Sequence, residues 1–331
     1  MPCQGSPGNE LVDRAQGCLV GLGVGDALGA PAENLSAAEI SARWGRITGF
    51  LDEHIAGTDD TEYACLIGLL LVDDEGALTT DRLVAHYRRH VLELPVLRGA
   101  GFSELGTVEN LRRGWLPPDS GQHAHPWSDG VAMRAAVHGI AAAGDPGRAR
   151  ELCAIDGSVS AAGEGIWAGQ YVAELVARVL VGEPIPAAID TARAGLPVGC
   201  WTAAALDLAA TTDDPDELLE RLVCRRFPWT DLAPEAVAIA SWCLLRHPDS
   251  YAAAVTTAVS MGRDADTTAA IAGAVLGARF GLRGIPAEWR NRLGPVSGRC
   301  LGPVVAGIRL DELAAELIAL APAYRSQVVD R

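Results

Sequence analysis

Residues 11–33 read LVDRAQGCLVGLGVGDALGAPAE, with Gly17, Gly21, Gly25 and Gly29 spaced by four. A four-residue spacing stacks the glycines along one face of a helix. Glycine costs a helix stability, so a ridge of them implies another backbone pressed against it. The same pattern returns near the other end. Residues 267–286 read TTAAIAGAVLGARFGLRGIP, with Gly273, Gly277 and Gly281 by fours and Ala270, Ala274 and Ala278 beside them. Pro286 is the expected stop. Two central helices packed on small residues are therefore expected. The close-packing logic is that of a GxxxG interface, but Arg279 and the short apolar length argue against a membrane setting.

Helical periodicity fills the interval. The runs TEYACLIGLLLVDDEG, TTDRLVAHYRRHVLE, GVAMRAAVHGIAAAG, GIWAGQYVAELVARVLVG, PIPAAIDTARAG, DPDELLERLVCR, APEAVAIASWCLLRH, DSYAAAVTTAVSMG and LDELAAELIALAPAY all carry it. No long alternating run and no Asn-Gly hairpin suggests strands. No repeat period or low-complexity linker divides the chain. The expected organisation is a loose Gly/Pro-rich tail over residues 1–9, then one all-α domain over 10–331.

Composition narrows the function. The chain has 331 residues, is 49% hydrophobic and only 5% aromatic, and carries a net charge of −15. Such acidity disfavours nucleic acid and anionic membranes as partners. Eight cysteines lack CxxC or zinc-finger spacing and several sit in apolar runs, so they read as reduced, buried small hydrophobes. No signal-peptide pattern and no membrane-length apolar run is present. A cytoplasmic location and a monomeric state are expected.

Two further stretches rhyme. GTDDTEYACL (57–66) and GRDADTTAAI (262–271) each place acid and threonine at the start of an apolar run. Both read as helix N-termini. Asp59 with Glu62 fits a capping box, with Thr58 as an equal candidate cap, and Asp264 or Asp266 suits the second helix. Together they also gather hard oxygen donors: Thr58, Asp59, Asp60, Asp264, Asp266 and Thr267, with Glu33 after the first glycine ridge. Carboxylates and hydroxyls suit Mg²⁺, Mn²⁺ or Ca²⁺ rather than zinc. If the two stretches meet, two divalent ions would relieve the mutual repulsion of the carboxylates.

The chain resembles the ADP-ribosylglycohydrolase family, which includes the dinitrogenase-reductase-activating glycohydrolase. The resemblance rests on GCLVGLGVGDALGAPAE, GTDDT, SDGVAMRAA and GRDADTTAAIAGAVLGARFGLRGIPAEW, spread from residue 17 to residue 289. It implies an all-α orthogonal helical bundle with a binuclear Mg²⁺ or Mn²⁺ centre. Thr58, Asp59, Asp60, Asp264, Asp266 and Thr267 match the family's metal ligands. Glu33 matches its glutamate near the metals and ribose. Ser128, Asp129, Gly130, Val131, Ala132, Met133 and Arg134 match a loop that lies against the ribose phosphate. Two departures fall on the ligand side. Asp129 stands where the family more often has asparagine, and Ala161 where many members have histidine. Both point away from a diphosphate ligand.

The implied chemistry is hydrolysis of a ribosyl bond through an oxocarbenium-like transition state. Asp60 or Asp264, with Glu33 competing, would orient the attacking water. The leaving group is a nitrogen or an oxygen. Three functional readings follow. The first is a hydrolase acting on an ADP-ribosylated protein. The second is a hydrolase of a small ribosyl or NAD-derived metabolite. The third is a non-catalytic relative that binds ADP-ribose. Among the remaining candidates, His123 and His125 read as a solvated loop pair rather than metal ligands. Glu104 reads as a surface acid, with a weak family match near the ribose. Trp127 either stacks on a base or packs under its loop. Met133 also reads as a core contact and Arg134 as a structural salt bridge.

Overall fold

The computed structural model describes residues 7–53, 55–94, 96–223 and 229–329. It is a bundle of helices, and among the described residues β-pairing is limited to two isolated bridges, Ser36 with Gly262 and Ser128 with Leu232. The all-α expectation is met. None of these helices is long and apolar enough to cross a membrane.

The glycine ridge organises the bundle. The helix Pro7–Gly29 lies antiparallel against Ala265–Phe280. A Cβ added at Gly17 would overlap the backbone of Gly277 and Gly281, one at Gly21 the carbonyl of Gly273, and one at Gly25 the carbonyl of Ala269. At Gly29 the overlap falls on the backbone of Asp266. Tyr251 adds a bond across the seam, its hydroxyl donating to Gly21 O at 2.8 Å. The seam therefore has a functional geometry: it carries the end of the first helix to the start of Ala265–Phe280.

Several boundaries differ from expectation. The first helix begins at Pro7, so residues 7–9 are helical rather than tail, and residues 1–6 lie outside the described set. Gly281, at φ 69°, ends the later helix five residues before Pro286. Only glycine adopts that left-handed backbone freely, so the helix stops there. The run GVAMRAAVHGIAAAG divides at Ala135 into Gly130–Arg134 and Ala136–Ala141. Helices Pro146–Ser160 and Trp201–Thr211 were not singled out by periodicity. The first has a polar and glycine-containing sequence, and its buried face includes Asp156, which only a distant arginine makes tolerable.

Buried free thiols at Cys18, Cys65, Cys153, Cys200, Cys243 and Cys300 match the reduced, core reading, whereas Cys3 and Cys224 lie outside the described residues. Burial pushes the Cys18 thiol far above its ordinary value, as expected of an inert core group.

Candidate active site

The two acidic helix starts meet. Thr267 Oγ1 donates to Asp60 Oδ1 at 3.1 Å, and Thr58 Oγ1 reaches Asp266 Oδ2 at 3.5 Å. Residues separated by more than two hundred positions thus share one floor. Thr58 caps the helix Asp59–Asp73, accepting from Asp60 N at 3.4 Å. The expected capping box is absent, because Glu62 points elsewhere. Its carboxylate accepts the backbone N–H groups of Arg299, Cys300 and Leu301 at 2.6–2.8 Å and fixes that loop. Asp264 occupies the N-cap position of Ala265–Phe280 but makes no side-chain cap bond.

Asp26, inside the glycine ridge, anchors the first cluster. Its carboxylate accepts from Thr58 N at 2.8 and 3.0 Å, from Thr61 N at 3.1 Å, and from Thr61 Oγ1. Burial raises its pKa to about 6 against the lowering effect of these bonds. The second anchor is a crossed pair of left-handed residues. Asn34 (φ 63°) and Arg263 (φ 65°) join through Asn34 N to Arg263 O at 2.8 Å, and Arg263 N bonds Leu35 O at 2.8 Å. Buried Glu235 holds the Arg263 guanidinium at 2.5 and 3.2 Å. Non-glycine residues in this backbone region are strained and tend to mark functional sites. Here they set Glu33 beside Asp264.

A third segment completes the floor. Asp129 N donates to Asp231 O at 3.2 Å, and Ala233 N to Trp127 O at 3.2 Å, so residues 127–129 run beside 231–233. Ser128, Asp129, Gly130 and Met133 are all buried and line the same cleft as Glu33, Asp59, Asp60, Asp264, Asp266 and Thr267. The cleft measures about 540 Å³, within the ~300–1,000 Å³ usual for small-molecule sites.

Its electrostatics are one-sided. Burial first, and neighbouring carboxylates second, push Asp60, Asp129, Asp264 and Asp266 well above the usual carboxylate range. Asp59 rises to about 8, through burial and then Glu104 and Asp26. Glu33, at the rim, is raised by partial desolvation and then by Asp231, against the lowering bond from Asn34. Asp60 Oδ2 and Asp129 Oδ2 are buried without a hydrogen-bond partner. Carboxyls meet in pairs, Asp129 with Asp264 and Asp264 with Asp266. Among the described residues, no three His, Cys, Asp or Glu side chains stand ready-made around one metal-sized point. The donor set nonetheless fits a hard divalent cation: it is all oxygen, it repels itself, and it has buried lone pairs to offer.

The matching family model, ADP-ribosylglycohydrolase, spans residues 7–326. The chain belongs to the ADP-ribosylglycohydrolase family. It is therefore an enzyme, a hydrolase of the class that cleaves glycosidic bonds of ADP-ribosyl groups. The chain is 25% identical over 304 residues to an ADP-ribosyl-[dinitrogen reductase] glycohydrolase of Rhodospirillum rubrum, covering 86% of this chain and 92% of that one. It is 31% identical over 140 residues to an uncharacterized protein of Archaeoglobus fulgidus, 39% of this chain and 43% of that one. A solved ADP-ribosylglycohydrolase-related protein complex superposes with a TM-score of 0.67, covering 94% of this chain and 99% of the other at 24% identity. That likeness speaks for the fold.

Within this ADP-ribosylglycohydrolase several expectations need correcting. Asp129 lines the cleft at 3% exposure with its side chain turned onto Asp264, so it also extends the acidic floor. Ala161 is packed against Gly121 and Gly165, and its methyl group does not line the cleft. Glu104 is not a surface acid. It is 1% exposed, lines the cleft and accepts from Arg134 at 3.1 Å. His123 and His125 are neither solvated nor a metal pair. His125 N donates to His123 Nδ1 at 3.1 Å, which leaves His123 Nε2–H to donate to Ser160 O at 2.9 Å. His125 is buried among Phe102, Trp127 and Trp229, so Trp127 packs under its loop. Arg134 is the structural ion-pair residue expected. Asp26 and Asp231 were missed. The signal for Asp26 was a lone carboxylate within a glycine-rich apolar helix.

Proposed function

We propose that this enzyme is a metal-dependent hydrolase that cleaves the bond between ribose C1 and a nitrogen or oxygen leaving group. The ribose belongs to an ADP-ribosyl or ribosyl-phosphate conjugate. The observation that carries this reading is the meeting of residues 58–60 with 264–267 through the Thr267–Asp60 bond, in a floor of buried carboxyls with no basic partner among the cleft's described lining residues. Thr58, Asp59, Asp60, Asp264, Asp266 and Thr267 would hold two Mg²⁺ or Mn²⁺ ions. The ions would supply Lewis acidity and a charged clamp for the vicinal ribose hydroxyls.

The chain's own groups do the rest. The acidic floor stabilises positive charge as C1 becomes oxocarbenium-like. Water adds to C1 and loses a proton to a carboxylate, with Asp60, Asp264 and the rim residue Glu33 as the candidates. The C1–X bond breaks with its electron pair going to the leaving atom. Glu104, held by Arg134, keeps the Gly130 end of the floor in place. A methyl group at Gly130 would sit 2.5 Å from Glu104 Oε1, so that position must remain open.

The test is a panel of ADP-ribosyl-arginine, ADP-ribosyl-serine and smaller N-ribosyl nucleotides, each with Mg²⁺, Mn²⁺ or EDTA. Turnover should need a divalent ion and should vanish in Asp60→Ala and Asp264→Ala. Turnover indifferent to EDTA, or an Asp60→Ala enzyme of near-normal kcat/KM, would remove the metal role.

A further inference from the structure

The buried acids around the cleft divide by how the protein satisfies them. Asp26 accepts from Thr58 N, Thr61 N and Thr61 Oγ1. Glu62 accepts three backbone N–H groups. Glu104 accepts from Ser103 Oγ at 2.7 Å and from Arg134. Each of these carboxylates ties one segment of the fold to another. Asp129 does not. It occupies the N-cap position of Gly130–Arg134 yet makes no side-chain cap bond. Its Oδ2 is buried without a hydrogen-bond partner, and no Arg or His stands among the cleft's described lining residues. Asp60 Oδ2, in the donor set proposed above for the metals, is in the same state.

The backbone around Asp129 is pinned. Asp129 N donates to Asp231 O at 3.2 Å, Met133 N donates to Asp129 O at 2.9 Å, and Ser128 pairs with Leu232. These bonds keep the residue beside Asp264, whose carboxyl it meets.

We propose that Asp129 is a further metal ligand of the floor, an oxygen donor for a hard divalent cation beyond the six family-matched residues. The proposal rests on the metal-dependent reading above. It is particular to this chain, because asparagine is more usual at this position in the family. A buried carboxylate with no donor is costly to keep. A cation shared by Asp129 and Asp264 would replace their mutual repulsion with attraction. A metal ion enters as touching carboxyls part, so its ligands need no water-accessible surface beforehand; Asp60 Oδ2 is covered in the same way. Asp59, Asp60, Asp264 and Asp266 together match the charge of two divalent ions. Asp129 adds one more negative charge to that lining, which should hold the ions more tightly.

The experiment is metal binding, read without turnover. Mn²⁺ is titrated into the full chain and into Asp129→Asn, and free Mn²⁺ is followed by its electron paramagnetic resonance signal. Melting temperatures are taken in EDTA and in Mn²⁺. Asp129→Asn keeps the shape of the side chain and removes its charge. It should weaken at least one Mn²⁺ site by about tenfold or more, and in EDTA it should melt at or above wild type. The opposite signs separate a ligand from a structural acid, whose loss would lower the melting temperature with and without the ion. Asp60→Ala serves as the comparator and should also lose Mn²⁺ affinity. Unchanged Mn²⁺ affinity in Asp129→Asn, with Asp60→Ala impaired, overturns the Asp129 ligand and leaves the metal reading standing. An Asp129→Asn protein that melts below wild type in EDTA overturns it too, since the carboxylate would then serve the fold. A wild-type chain that binds no Mn²⁺ at millimolar concentration removes both the ligand and the metal reading.

Discussion

Two buried groups of carboxylates lie side by side in this molecule, and they are built on opposite principles. Around Arg134 the charges are complementary. Its Nε and Nη2 donate to Asp156 at 2.9 and 3.1 Å, Nη1 to Glu104 and to Gly130 O, and Nη2 also to Ser160 Oγ. Every nitrogen of the guanidinium is used, at 0% exposure. In the floor formed by Asp59, Asp60, Asp129, Asp264 and Asp266 no such cation stands among the described residues, and the carboxyl groups face one another. Glu104 belongs to both, since it pairs with Arg134 and lines the cleft. The lesson is that the fold can neutralise buried acids internally and does so where it needs rigidity. Where it leaves them unneutralised, the missing charge must come from protons, a metal or a ligand.

The largest effect that tests this contrast is loss of the internal cation. Arg134→Leu should destabilise the protein by about 3–5 kcal/mol, because Asp156 and Glu104 would stay buried without a partner. Chemical denaturation with unchanged m-value would measure it. A variant near wild-type stability would show that the two groups do not differ in kind.

Next comes supply of the external cation. Mg²⁺ or Mn²⁺ at about 100 times its dissociation constant should add roughly 2.7 kcal/mol, read as a rise in Tm that EDTA reverses. The rise should be lost in Asp60→Ala. No shift with either ion at millimolar concentration would argue that protons, not metals, settle the floor.

The third effect is a pH dependence beside Arg134. His138 is fully buried, and burial lowers its pKa from 6.5 to about 4, with Asp156 opposing and Arg134 assisting. Its Nε2 lies 3.6 Å from Asp156 Oδ2, close enough for an ion pair if protonated. Burial outweighs that attraction and favours the neutral imidazole, both of whose ring nitrogens lack a hydrogen-bond partner. A depressed histidine pKa means the unfolded chain takes up the proton first. The contribution is therefore complete above about pH 6.5 and is lost as pH falls toward 4. Between pH 7 and pH 5 this should cost about 1–2 kcal/mol, and His138→Phe should flatten that part of the stability profile. An unchanged profile would place the acid sensitivity elsewhere.

The smallest effect probes the repulsion itself. In EDTA, Asp264→Asn should melt slightly above wild type, by about 1 kcal/mol, since the acids already relieve most of their repulsion by taking up protons. A destabilised variant would mean that Asp264 is held by favourable contacts even without a cation.

Much of the architecture was legible in the chain itself. Four-residue glycine spacing at both ends required two backbones in contact, and Gly17, Gly21 and Gly25 do meet Gly277, Gly273 and Ala269. The helix start at Thr58 followed from local capping chemistry and the one at Asp264 from residue pattern alone, since Asp264 makes no side-chain cap bond; the oxygen-donor set followed from residue type. What the pattern could not supply was direction. Nothing local says that Glu62 turns to the 299–301 backbone instead of capping its own helix, or that Glu104 turns inward to Arg134.

By itself, then, the sequence determined an all-helical chain seamed on small residues and two acid-rich helix starts, because periodicity, steric size and capping are properties of neighbouring residues. Only the tertiary structure decided that those starts share a floor, that Asp26 anchors it and that Asp129 joins it. It also decided that Ala161 stands outside the cleft and that Phe102 and Trp229, packed on His125, line it. Those outcomes depend on which distant backbones come into register. Register is set here by the antiparallel glycine seam and by the left-handed pair Asn34 and Arg263, whose long-range hydrogen bonds no short window of sequence contains.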